Sequence, residues 1–146
     1  MPTTETVQPS SLYTVMGGKL GIPKISSDED LASLVEKRLP VRTVKALVRG
    51  GFSEAEIYQL VVPRRTLSHR IAKHEPLSSE ESDRAVRVAR VTAHAERVFG
   101  DPEKAWRWLR KPKTRFDGKS PLEMLTTEAG ARLVDQMIVQ IDHGMF

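Results

Sequence analysis

Beyond the first dozen residues, apolar positions recur at intervals of three and four, and polar caps, prolines and glycines separate the stretches. In SSDEDLASLVEKRL, Ser27 and Asp30 stand at capping-box spacing, and Leu31, Leu34 and Val35 share a face. Pro40 suits a first helical turn. Val44, Leu47 and Val48 follow it, and Gly50 with Gly51 stops the pattern. Ser53 and Glu56 form a second capping box, opening a helix through Ile57 and Leu60 to about 61. Pro63 opens PRRTLSHRIAKH. SSEESD caps a long helix carrying Val88, Val91, Ala95 and Val98, ended by Gly100. Asp101 and Pro102 start the next, and Ser120, Pro121 and Glu123 repeat the device. Val134, Met137, Ile138 and Ile141 make a last helical stripe, closed by Gly144. No alternating apolar–polar run survives, so the pattern predicts an all-α fold. The glycine-broken LYTVMGGKLGIPKI predicts at most a short strand or an irregular packed segment. Residues 1–20 are expected to be a flexible polar tail.

The 146 residues allow one domain or two small ones, and 39% hydrophobic with 29% charged residues suits a soluble globular chain. No apolar run reaches bilayer length, and MPTTETVQPSS lacks the basic and apolar regions of a signal peptide. Without cysteine there is no disulfide or thiolate metal site, and the expected compartment is a reducing cytoplasm. The net charge of +4 permits an anionic partner, and its distribution says more than its sum. Residues 64–73 hold five basic side chains, counting His69, and no acid, whereas SSDEDL and SSEESD are acidic.

Two short helices joined by a tight turn, the second strongly basic, form the helix-turn-helix pattern, with the first over about 53–61 and the turn at Val62 and Pro63. On a helical wheel Leu67 and Ile71 fall together and are expected to face inward. Arg65, Ser68, His69 and Lys73 face away, offering a guanidinium for a base edge, a hydroxyl, and cations for phosphates. The alternative is an amphipathic surface helix with solvated charge. The companion helix, the short turn and the absence of acids favour DNA.

Tests for catalysis fail. His69 and His74 are at the wrong interval for one helical face, His94 and His143 stand alone, and no HExxH pattern occurs. GGKLG lacks phosphate-loop spacing, and Ser53 and Ser120 are accounted for as caps. No enzyme, cofactor or metal is expected. WRWLRKPK, at 106–113, joins both tryptophans to four cations, as a nucleic-acid surface would. At about 100° per residue, however, Trp106 and Trp108 lie about 160° apart and cannot form one stacking platform. Ala105, Trp108 and Leu109 share a face, so Trp108 is expected in the core and Trp106 is expected free to meet a protein partner.

The C-terminal elements VFGD, AWRWL, DGKSPLEML, TEAGARLV and IDHG, in this order and at these separations, resemble the toxin-binding domain of the MbcA/ParS/Xre antitoxins. LPVRTVKALVRGGFSEAEIYQLVVPRRTLSHRIAKHEPLSSEESDR resembles the Xre-like helix-turn-helix half of the same family. One departure is Lys113 after Pro112, where the pattern usually carries Asn. The resemblance implies a helix-turn-helix domain over 21–90 and a toxin-binding domain over 91–146, coupled by the long helix. It implies an antitoxin that occludes the active site of a RES-domain, NAD-degrading toxin and, as a homodimer, binds operator DNA to repress its own operon. The DNA-reading residues would then be Arg64, Arg65, Ser68, His69 and Lys73, placing the protein on the nucleoid when DNA-bound. The toxin-facing residues would be Trp106, Arg132, Gln136, Gln140, His143, Gly144, Met145 and Phe146. A left-handed Gly144 would let Met145, Phe146 and a terminal carboxylate project into a site built for an anionic dinucleotide. The rival reading is a stand-alone helix-turn-helix repressor with no toxin partner.

Overall fold

The computed structural model describes the backbone of residues 7–144, with side chains from residue 12. The described residues hold eight α-helices and two 3-10 turns, and no strand among them. They divide into two compact units, Met1–Ala89 and Arg90–Phe146.

The first unit comprises α1 (Val7–Leu20), α2 (Asp28–Lys37), α3 (Arg42–Arg49), α4 (Glu54–Leu60), α5 (Arg64–Ala72) and the opening turns of α6 (Ser79–Phe99). Helix α1 corrects two expectations, since residues 7–20 form neither a strand nor a tail. Met16 and Leu20 are buried, and Lys19, 7% exposed, donates from Nζ to the Gly50 carbonyl that ends α3. Two of the glycines that concealed this helix in the sequence are explained by the chain that leaves it. A Cβ on Gly17 would lie 2.6 Å from the Ile22 carbonyl oxygen, and Gly21, at φ +71°, turns the chain back onto α1. Met16, Leu20, Leu39, Leu47, Ile57, Leu60, Val61, Val62 and Leu77 form the core.

The second unit comprises the remainder of α6, α7 (Pro102–Arg110), 3-10 turns at Thr114–Phe116 and Glu123–Thr126, and α8 (Glu128–Asp142). Its core includes Ala93, Ala105, Leu109, Leu122, Leu125, Val134 and Ile138. Gly100 ends α6 at φ +71°, and the Asp101 carboxylate then accepts from the Glu103 N–H to start α7. Ser120 and Glu123 exchange both capping-box hydrogen bonds, but the element they open is a single 3-10 turn rather than a full helix. The Leu122 N–H donates to the Leu109 carbonyl, tying this turn to the end of α7. No helix among the described residues is long and apolar enough to cross a membrane.

Candidate functional site

In the first unit, Ser53 caps α4 with its hydroxyl on the Glu56 N–H, while Glu56 reaches back to the Ser53 N–H. Only residues 61–63 separate α4 from α5, and Val61 and Val62 are buried, which makes the turn a packed element. Arg84 of α6 donates to the Val61 carbonyl at 2.9 Å and holds the turn from behind. Helix α5 begins at Pro63 with no side-chain cap and no acid in its first turn, leaving positive partial charge at its start. Arg64, Arg65, Ser68, His69 and Lys73 are all exposed, on α5 or at its C-cap.

The inward side of α5 differs from the expectation at one position. Leu67 is 8% exposed, but Ile71 is 53% exposed. The inward arc is centred between Leu67 and Arg70, because Arg70 makes a bidentate pair with Glu81 of α6. Its Nε meets Oε1 at 2.8 Å and its Nη2 meets Oε2 at 3.1 Å. That rotation carries Ile71 to the rim of an apolar groove with Val41, Val44, Val48 and Tyr58. Glu81 also caps α6, accepting from the Ser78 N–H at 2.8 Å while its own N–H donates to the Ser78 hydroxyl. Burial pushes the Glu81 carboxyl up, but Arg70 and the Ser78 donors outweigh it and hold it below the usual carboxylate value. Arg70 is therefore spent inside the unit, and the polar side chains that α5 and its C-cap offer to solvent are the five named above.

In the second unit the two tryptophans exchange the places expected for them. Trp106 is buried, and its indole N–H donates to the Glu96 carboxylate at 2.7 Å, with the Arg110 guanidinium 4.7 Å above the ring. Trp108 is half-buried, tilted against Phe99 at 5.6 Å between centroids, with the Lys113 ammonium 5.0 Å from its ring. The apolar arc of α7 has a tryptophan at either edge, so spacing alone leaves the choice open. A buried indole needs an acceptor for its N–H, and Glu96 provides one beside Trp106. Trp106 is thus a core residue and not a free partner contact.

Arg132, Gln136 and His143 are exposed on one face of α8 together with Val139, 42% exposed. Gln140, half-buried on the same face, accepts from Arg115 at 3.1 Å. Gly144 is exposed with φ +67°, while Met145 and Phe146 lie outside the described residues. On the opposite flank Asp135 meets Arg90 at 3.3 Å and His94 Nδ1 at 3.2 Å, anchoring α8 to α6. His94 is thereby occupied in packing. Sequence reasoning missed a cleft of about 660 Å³ walled by Trp108, Lys111, Lys113, Arg115, Met137 and Ile141. Among the described residues no group of acids and histidines is arranged to hold a metal ion.

A helix-turn-helix unit with a solvent-facing basic second helix, followed by a small all-helical unit, defines the class: a two-part helix-turn-helix protein. Comparison with known proteins gives the family. Residues 30–90 match the antitoxin Xre-like helix-turn-helix domain, and residues 94–144 match the antitoxin Xre/MbcA/ParS C-terminal toxin-binding domain. The chain is 43% identical over 126 residues to an antitoxin Xre of Pseudomonas putida, covering 86% of this chain and 79% of that one. It is 32% identical over 129 residues to an antitoxin Xre of Photorhabdus laumondii, covering 86% of each. A Sphingobium protein named Prs ADP-ribosylating antitoxin is 30% identical over 132 residues, covering 83% of each chain. The chain belongs to the Xre/MbcA/ParS antitoxin family.

Proposed function

We propose that this antitoxin neutralises a RES-domain, NAD-degrading toxin by covering its active site, and represses its own operon as a homodimer on operator DNA in the bacterial cytoplasm. The observation that carries the reading is the pairing of two binding units in one chain: a helix-turn-helix whose exposed face is basic, and a domain of the toxin-binding family. On α5, Arg64, Arg65 and Lys73 would meet phosphates and a guanine edge, with Ser68 and His69 reading alongside. On α8, Arg132, Gln136, Gln140 and His143 would face the toxin, and Gly144 would direct Met145 and Phe146 toward its site.

The experiment is co-expression with the neighbouring reading frame, followed by co-purification and an assay of NAD loss. Because the Sphingobium relative is named for ADP-ribosylation, the assay also follows transfer of labelled ADP-ribose to protein. Co-purification with suppression of either activity supports the reading. Operator binding with no partner recovered leaves the stand-alone repressor in its place. Removal of Gly144, Met145 and Phe146 is expected to abolish rescue of toxin-expressing cells, and full rescue would eliminate the tail from the mechanism.

A further inference from the structure

We propose that the cleft between the end of α7 and the end of α8 is a docking surface for an acidic, apolar-flanked segment of the toxin. This rests on the reading of the second unit as toxin-binding.

The cleft is built from two chemistries. Trp108, Met137 and Ile141 supply apolar wall, and Lys111, Lys113 and Arg115 supply cations, with no carboxylate residue among the described residues that line it. The 3-10 loop fixes Lys113 from both sides. Its N–H donates to the Lys119 carbonyl at 3.0 Å, and its carbonyl accepts from Phe116 at 3.0 Å and Gly118 at 2.9 Å. The backbone fixes where the side chain starts, and the ammonium sits 5.0 Å from the centre of the Trp108 ring. Arg115 is oriented by the amide oxygen of Gln140, a neutral group that directs the guanidinium without cancelling its charge.

This arrangement disfavours the charge of Lys113. Burial lowers its pKa and the like charge of Lys111 lowers it further. An isolated protein would be relieved by an apolar side chain at this position. A partner carboxylate would reverse the sign, because a cation already partly desolvated gives a strong charge-assisted hydrogen bond. DNA phosphate is the competing anion. It would leave the apolar wall unmatched, whereas a peptide carrying Asp or Glu beside aliphatic side chains matches both.

The test uses the full chain and the co-expressed RES-domain protein encoded beside it, with Lys113→Met and Lys111→Glu/Lys113→Glu. Lys113→Met is expected to keep or raise the melting temperature while weakening toxin binding by about tenfold, two effects of opposite sign that general damage to the fold cannot give. The double variant is expected to lose about a hundredfold and to flatten the salt dependence of toxin binding, with operator affinity within about threefold of wild type. Toxin binding equal to wild type in Lys113→Met overturns the cleft and leaves the toxin reading intact. Equal losses of toxin and DNA affinity overturn the choice of a protein occupant. A wild-type chain that binds no toxin overturns both readings.

Discussion

A glycine inside a helix ordinarily costs about 1 kcal/mol relative to alanine, yet Gly130 sits in the first turn of α8. Its N–H donates to the Thr127 hydroxyl at 2.9 Å, and a Cβ placed on it would run into the carbonyl oxygen of Met124. That oxygen belongs to the backbone of the preceding 3-10 turn and has no rotamer by which to move. The Thr-x-x-Gly pattern is therefore a cap and a close approach at one locus. Gly130→Ala is expected to destabilise the second unit by about 3 kcal/mol, the upper range for overpacking, read as a lowered urea midpoint. His74 presents the opposite case. It ends α5 at φ +57°, with the Glu75 N–H returning to the Arg70 carbonyl, a place that suits glycine. His74→Gly is expected to stabilise the first unit by about 1 kcal/mol with operator affinity retained. A stability change of the other sign would mean that the imidazole makes a contact worth more than the strain it imposes.

At the scale of elements, α5 is held to α6 by the Arg70–Glu81 pair, and Glu81 caps α6 as well. Because folding lowers the Glu81 pKa, its contribution is present above the ordinary carboxylate range and is lost as pH falls through the folded value. Glu81→Gln is expected to cost about 1–2 kcal/mol at neutral pH, between the values for an exposed and a buried pair, because the Arg70 left behind keeps some contact with solvent. That difference from wild type should shrink as the solution is acidified through the carboxylate range. Denaturant titrations at several pH values check this, and a pH-independent difference would assign the cost to shape instead of charge. The helix starts at α2, α4 and α7 were legible in the sequence because Ser27, Ser53 and Asp101 act on neighbours two or three residues away. Helix α1 was not legible, since Gly17 is explained only by the returning chain. The side chosen by Trp106, Trp108 and Ile71 was not legible either, since Glu96 and Glu81 decide it from another helix. The same blindness hid the cleft, whose walls come from residues about thirty apart in the chain.

At the scale of the whole molecule, the basic face of α5 and the cleft beside α8 belong to different compact units, and the proposed roles give DNA to the first and toxin to the second. Arg64 and Arg65 are exposed in the first turn of α5, so their removal should leave the second unit unaffected. Arg64→Ala/Arg65→Ala is expected to weaken operator binding and to reduce the salt slope of its logarithm by about 1–2, one phosphate contact accounting for roughly 0.9. The same variant is expected to neutralise the toxin at wild-type dose, because the proposed toxin contacts lie in the second unit. In cells it should raise expression from the operon while leaving growth unimpaired. Measured together, operator affinity by titration at several salt concentrations and rescue from the toxin distinguish two independent surfaces from one shared one. A variant that lost both activities while retaining its fold would show that toxin contact extends onto α5, and the division of labour between the units would have to be redrawn.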